Sequence, residues 1–120
     1  IALLMRQQNT NIFFAGLESN PLYYATDFYI DNVLQKNIVI PDTIVEIKRY
    51  TLSGFKGLTS VVIPDSVTSI GDSAFWRCSA IKYVYYTGSQ AEWRTIRIGE
   101  TNTRLTGATI TYNYVIPTVE

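Results

Sequence analysis

The chain has 120 residues and a formal net charge of zero, and 47% of its residues are hydrophobic. This balance is typical of one globular domain and provides no basic surplus that would indicate nucleic-acid binding. The sequence contains no histidine and one cysteine and has no apolar run of ~18 residues, which excludes His-based catalysis, an internal disulfide, paired-cysteine zinc sites and a membrane-spanning helix.

The first predicted strand covers residues 12–16, where β-favouring residues end in small ones. Residues 1–11 before it contain no start signal, so we expect the chain to be a fragment of a longer protein. The next strand begins at Ile38, and the interval predicts an irregular lead-in over residues 12–37.

A 23-residue period begins at this second strand. The apolar run 38–40 is followed by Pro41, the run 61–63 is followed by Pro64, and a third copy opens at residues 84–86. Each proline ends its strand because it fixes φ and lacks an amide donor. One coil of this length cannot bury its own apolar face, so the period predicts stacked coils with adjacent, parallel strands.

Within each unit, the strand is followed by a predicted turn and a short helical piece. Val67 and Ile70 are predicted to point inward, and Gly71 permits a left-handed turn. Asp72 or Ser73 would then cap the helical piece.

The C-terminal part predicts a closing segment. Ser89 and Glu92 have the spacing of a helix capping box, and residues 108–112 alternate as a final strand. We therefore predict about five rungs in a solenoid over residues 12–113, with little regular helix. Its parts are the lead-in, repeats 38–60 and 61–83, and a closing cap at 84–113, before a tail at 114–120.

The run from Leu58 to Ile81 resembles the BspA-like leucine-rich repeat, in which the pattern IPxxVxxIGxxAFxxC recurs about every 23 residues. The copy at 38–60 has diverged further, since Lys48 stands where glycine is usual and Phe55 replaces the cysteine. The resemblance implies a right-handed α/β repeat solenoid with a short parallel sheet. It also implies a cell-surface or secreted protein associated with adhesion, although the first residues lack the pattern of a signal peptide.

Strand parity predicts which side chains leave the core. If residues 38, 40, 61, 63, 84 and 86 face inward, the residues that alternate with them face outward. This outward set supplies the predicted partner-binding residues: Phe13, Val39, Val62, Tyr83, Tyr85 and Thr109. An apolar stripe edged with tyrosine suits protein recognition. The same residues could instead be structural, because parallel strands usually need cover on both faces.

No catalytic residue, metal site or cofactor is predicted. Cys78 matches the apolar position of Phe55 and is expected to be buried and inert. Asp65 and Asp72 occupy different corners of one coil, whereas glycoside hydrolysis needs two carboxyl groups that face one cleft. The sequence therefore predicts a non-enzymatic, protein-binding adhesion module, with a structural spacer or a carbohydrate-binding accessory module as alternatives. Weak self-association through the end rungs is also expected.

Overall fold

The computed structural model describes residues 2–5, 27–30, 33–34 and 36–117, and it describes side chains from residue 36 onward. The first three strands are β1 (Ala2–Met5), β2 (Asp27–Ile30) and β3 (Val33–Leu34). β1 pairs with β2 in parallel, and β3 pairs with β2 antiparallel. The strand predicted at residues 12–16, with Phe13, lies outside the described residues.

Residues 36–117 contain seven short strands and two one-turn helices. In chain order they are β4 (Asn37–Val39), β5 (Glu46–Ile47), β6 (Ser60–Ile63), β7 (Ser69–Ile70), β8 (Tyr83–Tyr86), α1 (Gln90–Trp93), β9 (Arg97–Ile98), α2 (Thr103–Thr106) and β10 (Thr109–Thr111). None of the helices among the described residues has the length and hydropathy needed to cross a membrane.

The main sheet confirms the predicted stacking of the coils. β10, β8, β6 and β4 lie side by side in that order, and every neighbouring pair is parallel. Ile38 pairs with Val61 and Val61 pairs with Val84, so residues 23 positions apart are neighbours in the sheet. The predicted α/β repeat solenoid is therefore confirmed.

A second parallel sheet, which the sequence does not predict, closes the other side of the coils. It consists of β5, β7 and β9, with Ile47, Ile70 and Ile98 in one row. Each of these strands has only two residues. A two-residue strand is too short to show the alternation by which a strand is recognised in a sequence.

Between residues 36 and 117, the hydrophobic core runs through the coils in one continuous cluster. From the main sheet it receives the inward rows that begin at Ile38 and Ile40, and from the turns it receives Leu52 and Phe75. Ile38, Ile40, Leu52 and Phe75 are each at most 3% exposed. Burial on this scale, shared between neighbouring coils, is what holds a repeat solenoid together.

The turn after the second sheet differs from the prediction. Residues 72–77 form consecutive turns and not a helix, because Ser73 and Arg77 have left-handed φ values of 58° and 63°, which interrupt a right-handed helix. Gly71 is not left-handed. It is needed for close packing instead, since a Cβ atom there would lie 2.8 Å from the Cα of Arg49 and 3.0 Å from the carbonyl carbon of Lys48.

The closing segment contains the predicted capping box. The Glu92 amide donates to Ser89 Oγ and the Ser89 amide donates to Glu92 Oε1, each over 3.1 Å. Helix α1 buries Trp93, whose ring meets the edge of the Tyr86 ring at a centroid distance of 5.1 Å. The capping box therefore positions the aromatic residue that covers the end of the core.

Candidate functional site: the outer face of the main sheet

The outward-facing residues of the main sheet form two rows, which we call the outer face. One row contains Asn37, Ser60, Tyr83 and Thr109, and the other contains Val39, Val62, Tyr85 and Thr111. Five of the six predicted site residues therefore lie on this one surface. The sixth, Phe13, falls outside the described residues.

Exposure is uneven across the outer face. Val39 and Tyr83 are each 47% exposed, whereas Val62 is only 7% exposed. Val62 belongs to a central strand and lies in register between Val39 and Tyr85, so the side chains of two neighbouring strands flank it. Its prediction as a direct contact residue is corrected, because so little of its surface is available to a partner. Val39 and Tyr83 provide the accessible apolar surface.

Three tyrosines, Tyr83, Tyr85 and Tyr114, form the tyrosine cluster of the outer face. The rings of Tyr83 and Tyr85 are stacked with centroids 6.3 Å apart, and the Tyr85 and Tyr114 centroids are 4.7 Å apart. Aromatic pairs at such separations attract one another beyond the effect of burial alone. Tyr85 is thus held between two rings, and Tyr83 presents the exposed end of the cluster.

Tyr114 is the member of this cluster that the sequence does not predict. In chain order it falls on the inward parity of β10 and in the predicted tail. Asn113 has a left-handed φ of 55°, which turns the chain at this point. The Tyr114 amide then donates to the carbonyl of Tyr86 over 2.9 Å. Because a left-handed asparagine is not marked by any periodic pattern, only the structure reveals this contact.

Polar groups line the edge where the chain enters the main sheet. Asn37 Oδ1 accepts hydrogen bonds from the hydroxyl groups of Thr59 and Ser60. Thr59 Oγ1 also donates to the carbonyl of Lys36 over 3.0 Å. These bonds connect neighbouring coils and fix the backbone on which the first row of the outer face stands.

The second sheet carries a shallow groove with a different character. Its lining includes Glu46, Ser69 and Arg97, which share one row, together with the backbone of Gly71 and Gly99. Glu46 and Arg97 are exposed and of opposite sign. Within residues 36–117, no group of three or more His, Cys, Asp or Glu side chains is placed to hold a metal ion.

Cys78 is buried, as the sequence predicts. Its thiol donates to the carbonyl of Leu52 over 3.0 Å, and burial raises the pKa of the thiol to about 12. A hydrogen bond from the Phe55 backbone opposes this shift only in part. A thiol with such a pKa stays protonated at neutral pH and is a poor nucleophile.

Comparison with known proteins gives two matches. The sequence profile described as BspA type leucine rich repeat region matches residues 25–109, with six copies. The chain is also similar to the crystal structure of a leucine rich cell surface protein from Faecalibacterium prausnitzii, with 28% identity and a TM-score of 0.49. That alignment covers 65% of this chain and 23% of the other, so it spans about a quarter of the other protein. No curated protein matches the chain.

Proposed function

Because the chain belongs to the BspA-type leucine-rich repeat family, we propose that it is a non-catalytic module that binds a protein partner through the outer face of its main sheet. Members of this family are typically surface-exposed or secreted and are associated with adhesion. We therefore propose that the protein acts at the cell surface or outside the cell, with a role in adhesion.

The observation that carries this proposal is the exposure of Tyr83 on a strand whose inward residues are fully buried. Tyr83 is 47% exposed, while Val84 and Tyr86 are at most 1% exposed. A large ring that stands on a rigid strand offers contact area at little entropic cost, and tyrosine is enriched among residues that dominate binding energy. Val39 extends the apolar surface across the sheet.

A non-catalytic role is supported by the chemistry of the described residues. The one thiol is protonated at neutral pH, and the sequence has no histidine that could act as a general base. The pKa of the Tyr86 phenol is raised, first by burial and then by the nearby carboxylates of Glu92 and Asp65, which makes it a weaker acid.

A carbohydrate-binding module is the second candidate. Asn37, Ser60 and Thr109 share a row with Tyr83, so polar groups lie beside an exposed ring. Sugar recognition needs this combination of an aromatic platform and polar neighbours. The buried state of Ser60, at 8% exposure, favours the protein-binding function because it withdraws one of these polar groups.

The test measures binding of the 120-residue chain to a panel of purified extracellular-matrix and serum proteins and to a glycan array. Val39→Glu and Tyr83→Glu place a charge on the outer face. Val45→Glu is the matched control, because Val45 is 56% exposed and lies next to β5 of the second sheet. Circular dichroism confirms that each variant is folded.

We expect a panel protein whose binding is lost in Val39→Glu and Tyr83→Glu and kept in Val45→Glu. Binding that all three variants retain would contradict the use of the outer face. Selective glycan binding that depends on Tyr83 would support the carbohydrate-binding function instead. No binding above background would support a structural spacer.

A further inference from the structure

The two ends of the main sheet differ in how completely their inward side chains are covered. At the β4 end, Ile38 and Ile40 are at most 3% exposed. At the β10 end, Ile110 and Tyr112 pack against the same core but are only partly buried. The last coil therefore leaves part of its inward row open to solvent.

Strand β10 also has an open backbone edge, since among the described strands it pairs with β8 alone. The Thr109 amide donates to the carbonyl of Lys82 over 2.9 Å, so Thr109 directs its backbone groups towards β8. Successive residues of a strand direct their N–H and C=O groups to opposite sides. Ile110 and Tyr112 therefore direct theirs away from β8, as a row of donors and acceptors that a further strand could use.

The sequence around β10 lacks the residues that usually prevent such pairing. Exposed edges in natural sheets are commonly protected by lysine or proline. Residues 105–113 contain no charged residue and no proline. At the other end of the sheet, by contrast, β4 is flanked by Lys36 and Pro41. The β10 edge is therefore the one that can accept another strand.

The sequence of β10 is symmetric about Ile110, which selects a second copy of this chain as the occupant. Association about a two-fold axis needs a surface that is complementary to itself. In an antiparallel pair centred on Ile110, the two Ile110 residues exchange two backbone hydrogen bonds. Thr109 of each copy lies opposite Thr111 of the other, a pairing that stabilises antiparallel strands. Ala108 lies opposite Tyr112, so a small side chain leaves room for a large one.

We propose that β10 is the site at which two copies of this chain associate, by antiparallel pairing of β10 with β10 about a two-fold axis at Ile110. The pairing covers the partly exposed side chains of Ile110 and Tyr112 and joins the two four-stranded main sheets into one. Because the axis is perpendicular to the sheet, the outer faces of both copies lie on the same side. A strand from a different protein would satisfy the same backbone groups but would not require this symmetry.

Sedimentation equilibrium of the 120-residue chain tests the proposal directly. An interface this small binds weakly, so the measurement covers about 10 µM to 1 mM. We expect the average mass to rise from that of one chain towards that of two and no further, because a two-fold contact closes on itself.

Two matched double variants test the register. Thr109 and Thr111 are exposed, so charges at these positions leave the fold intact, which circular dichroism checks. Thr109→Lys/Thr111→Lys opposes like charges in both cross-strand pairs and should raise the dissociation constant of the dimer at least about tenfold. Thr109→Lys/Thr111→Glu opposes unlike charges in the same pairs and should keep the constant within about threefold of the wild type.

Hydrogen exchange gives a measurement that needs no variant. The amides of Ile110 and Tyr112 should exchange more slowly at 1 mM than at 10 µM protein, because pairing protects them. The Thr109 amide is already bonded within the chain and should not respond to concentration.

Three results overturn the proposal. A chain that stays monomeric up to 1 mM has no such site. A dimer that both double variants form as tightly as the wild type uses another surface. Assembly beyond two copies shows a contact that does not close about a two-fold axis. None of these results bears on the proposed function, which is tested by the outer-face variants Val39→Glu and Tyr83→Glu.

Discussion

The coil at residues 61–83 and the closing segment at 84–113 solve the same packing problem in different ways. In the middle coil, the carbonyls of Ala74 and Trp76 accept hydrogen bonds from the backbone amides of Leu52 and Gly54 in the coil before it. On its other side, the Phe75 amide donates to the side-chain oxygen of Asn102, over 3.0 Å. A side chain thus replaces the backbone of a further coil.

Asn102 completes this replacement with its amide nitrogen. That nitrogen donates to the carbonyls of Gly71 and Gly99, each over 3.0 Å, and to the carbonyl of Glu100 over 3.3 Å. The residue is only 3% exposed. The repeat motif is therefore needed where one coil stacks on another, whereas at the end of the stack the hydrogen bonds of one side chain, Asn102, take the place of a further coil.

A substitution in the core of the middle coil should destabilise the protein most. Phe75→Ala removes a fully buried ring and should lower the free energy of unfolding by about 3–5 kcal/mol. Denaturant unfolding followed by tryptophan fluorescence measures this loss. Tyr83→Ala, on the exposed face, is the control and should cost less than about 1.5 kcal/mol; equal losses would contradict the division between core and outer face.

The next largest effect is expected from substitutions of Asn102 in the closing segment. Asn102→Ala leaves the buried Phe75 amide without an acceptor and should cost about 1–3 kcal/mol. Asn102→Asp keeps the acceptor but places a carboxylate against three carbonyls, so it should cost more at pH 7.

Lower pH should restore part of the stability that Asn102→Asp loses at pH 7. Burial near carbonyls raises the pKa of the introduced carboxyl in the folded state, so the variant regains stability as pH falls from 7 to about 4. Denaturant titrations of both variants at the two pH values check this. An Asn102→Asp variant that is insensitive to pH would show that Asn102 is not enclosed as described.

Close contact between coils can be tested at two glycines. A Cβ atom at Gly71 would crowd the backbone of Arg49, and one at Gly99 would lie 2.7 Å from the Asp72 amide nitrogen. Gly71→Ala and Gly99→Ala should each cost about 1–3 kcal/mol, because rigid backbone has to move. A thermal-unfolding midpoint equal to that of the wild type would refute the need for glycine at these positions.

The smallest expected effect is the pH response of Cys78. The pKa of its thiol is raised from 9.0 to about 12 in the folded state. Its contribution to stability is therefore complete below pH 9 and is lost as pH rises towards 12. Relative to Cys78→Ser, the wild type should lose about 1 kcal/mol of unfolding free energy between pH 8 and 10. Parallel pH profiles of the two proteins would contradict a buried thiol.

The parts of the fold that repeat could be predicted from the sequence. The 23-residue period identifies β4, β6 and β8, their parallel register and their inward residues, because the same apolar positions recur in each coil. The closing capping box is recognised from Ser89 and Glu92, whose spacing has a direct physical cause.

The parts that depend on single residues could not be predicted. Ser73 and Asn113 have left-handed conformations although neither is a glycine, the residue that usually marks this conformation in a sequence. The prediction of a helical piece after Gly71 is therefore wrong, and the sequence assigns Tyr114 to the tail. Asn102 occurs once and belongs to no repeat. Val62 is buried by its neighbours in the sheet. Strand parity predicts the face on which a residue lies but not how far neighbouring side chains cover it.

The most direct test of the account measures partner binding and thermal unfolding on the same sample of Tyr83→Glu. Because Tyr83 stands on the exposed face of a strand held by its buried neighbours, the account predicts that binding is lost and that the unfolding midpoint stays within about 4 °C of the wild type. A large drop in the midpoint, or binding that survives unchanged, would show that the outer face is structural and not the surface that recognises a partner.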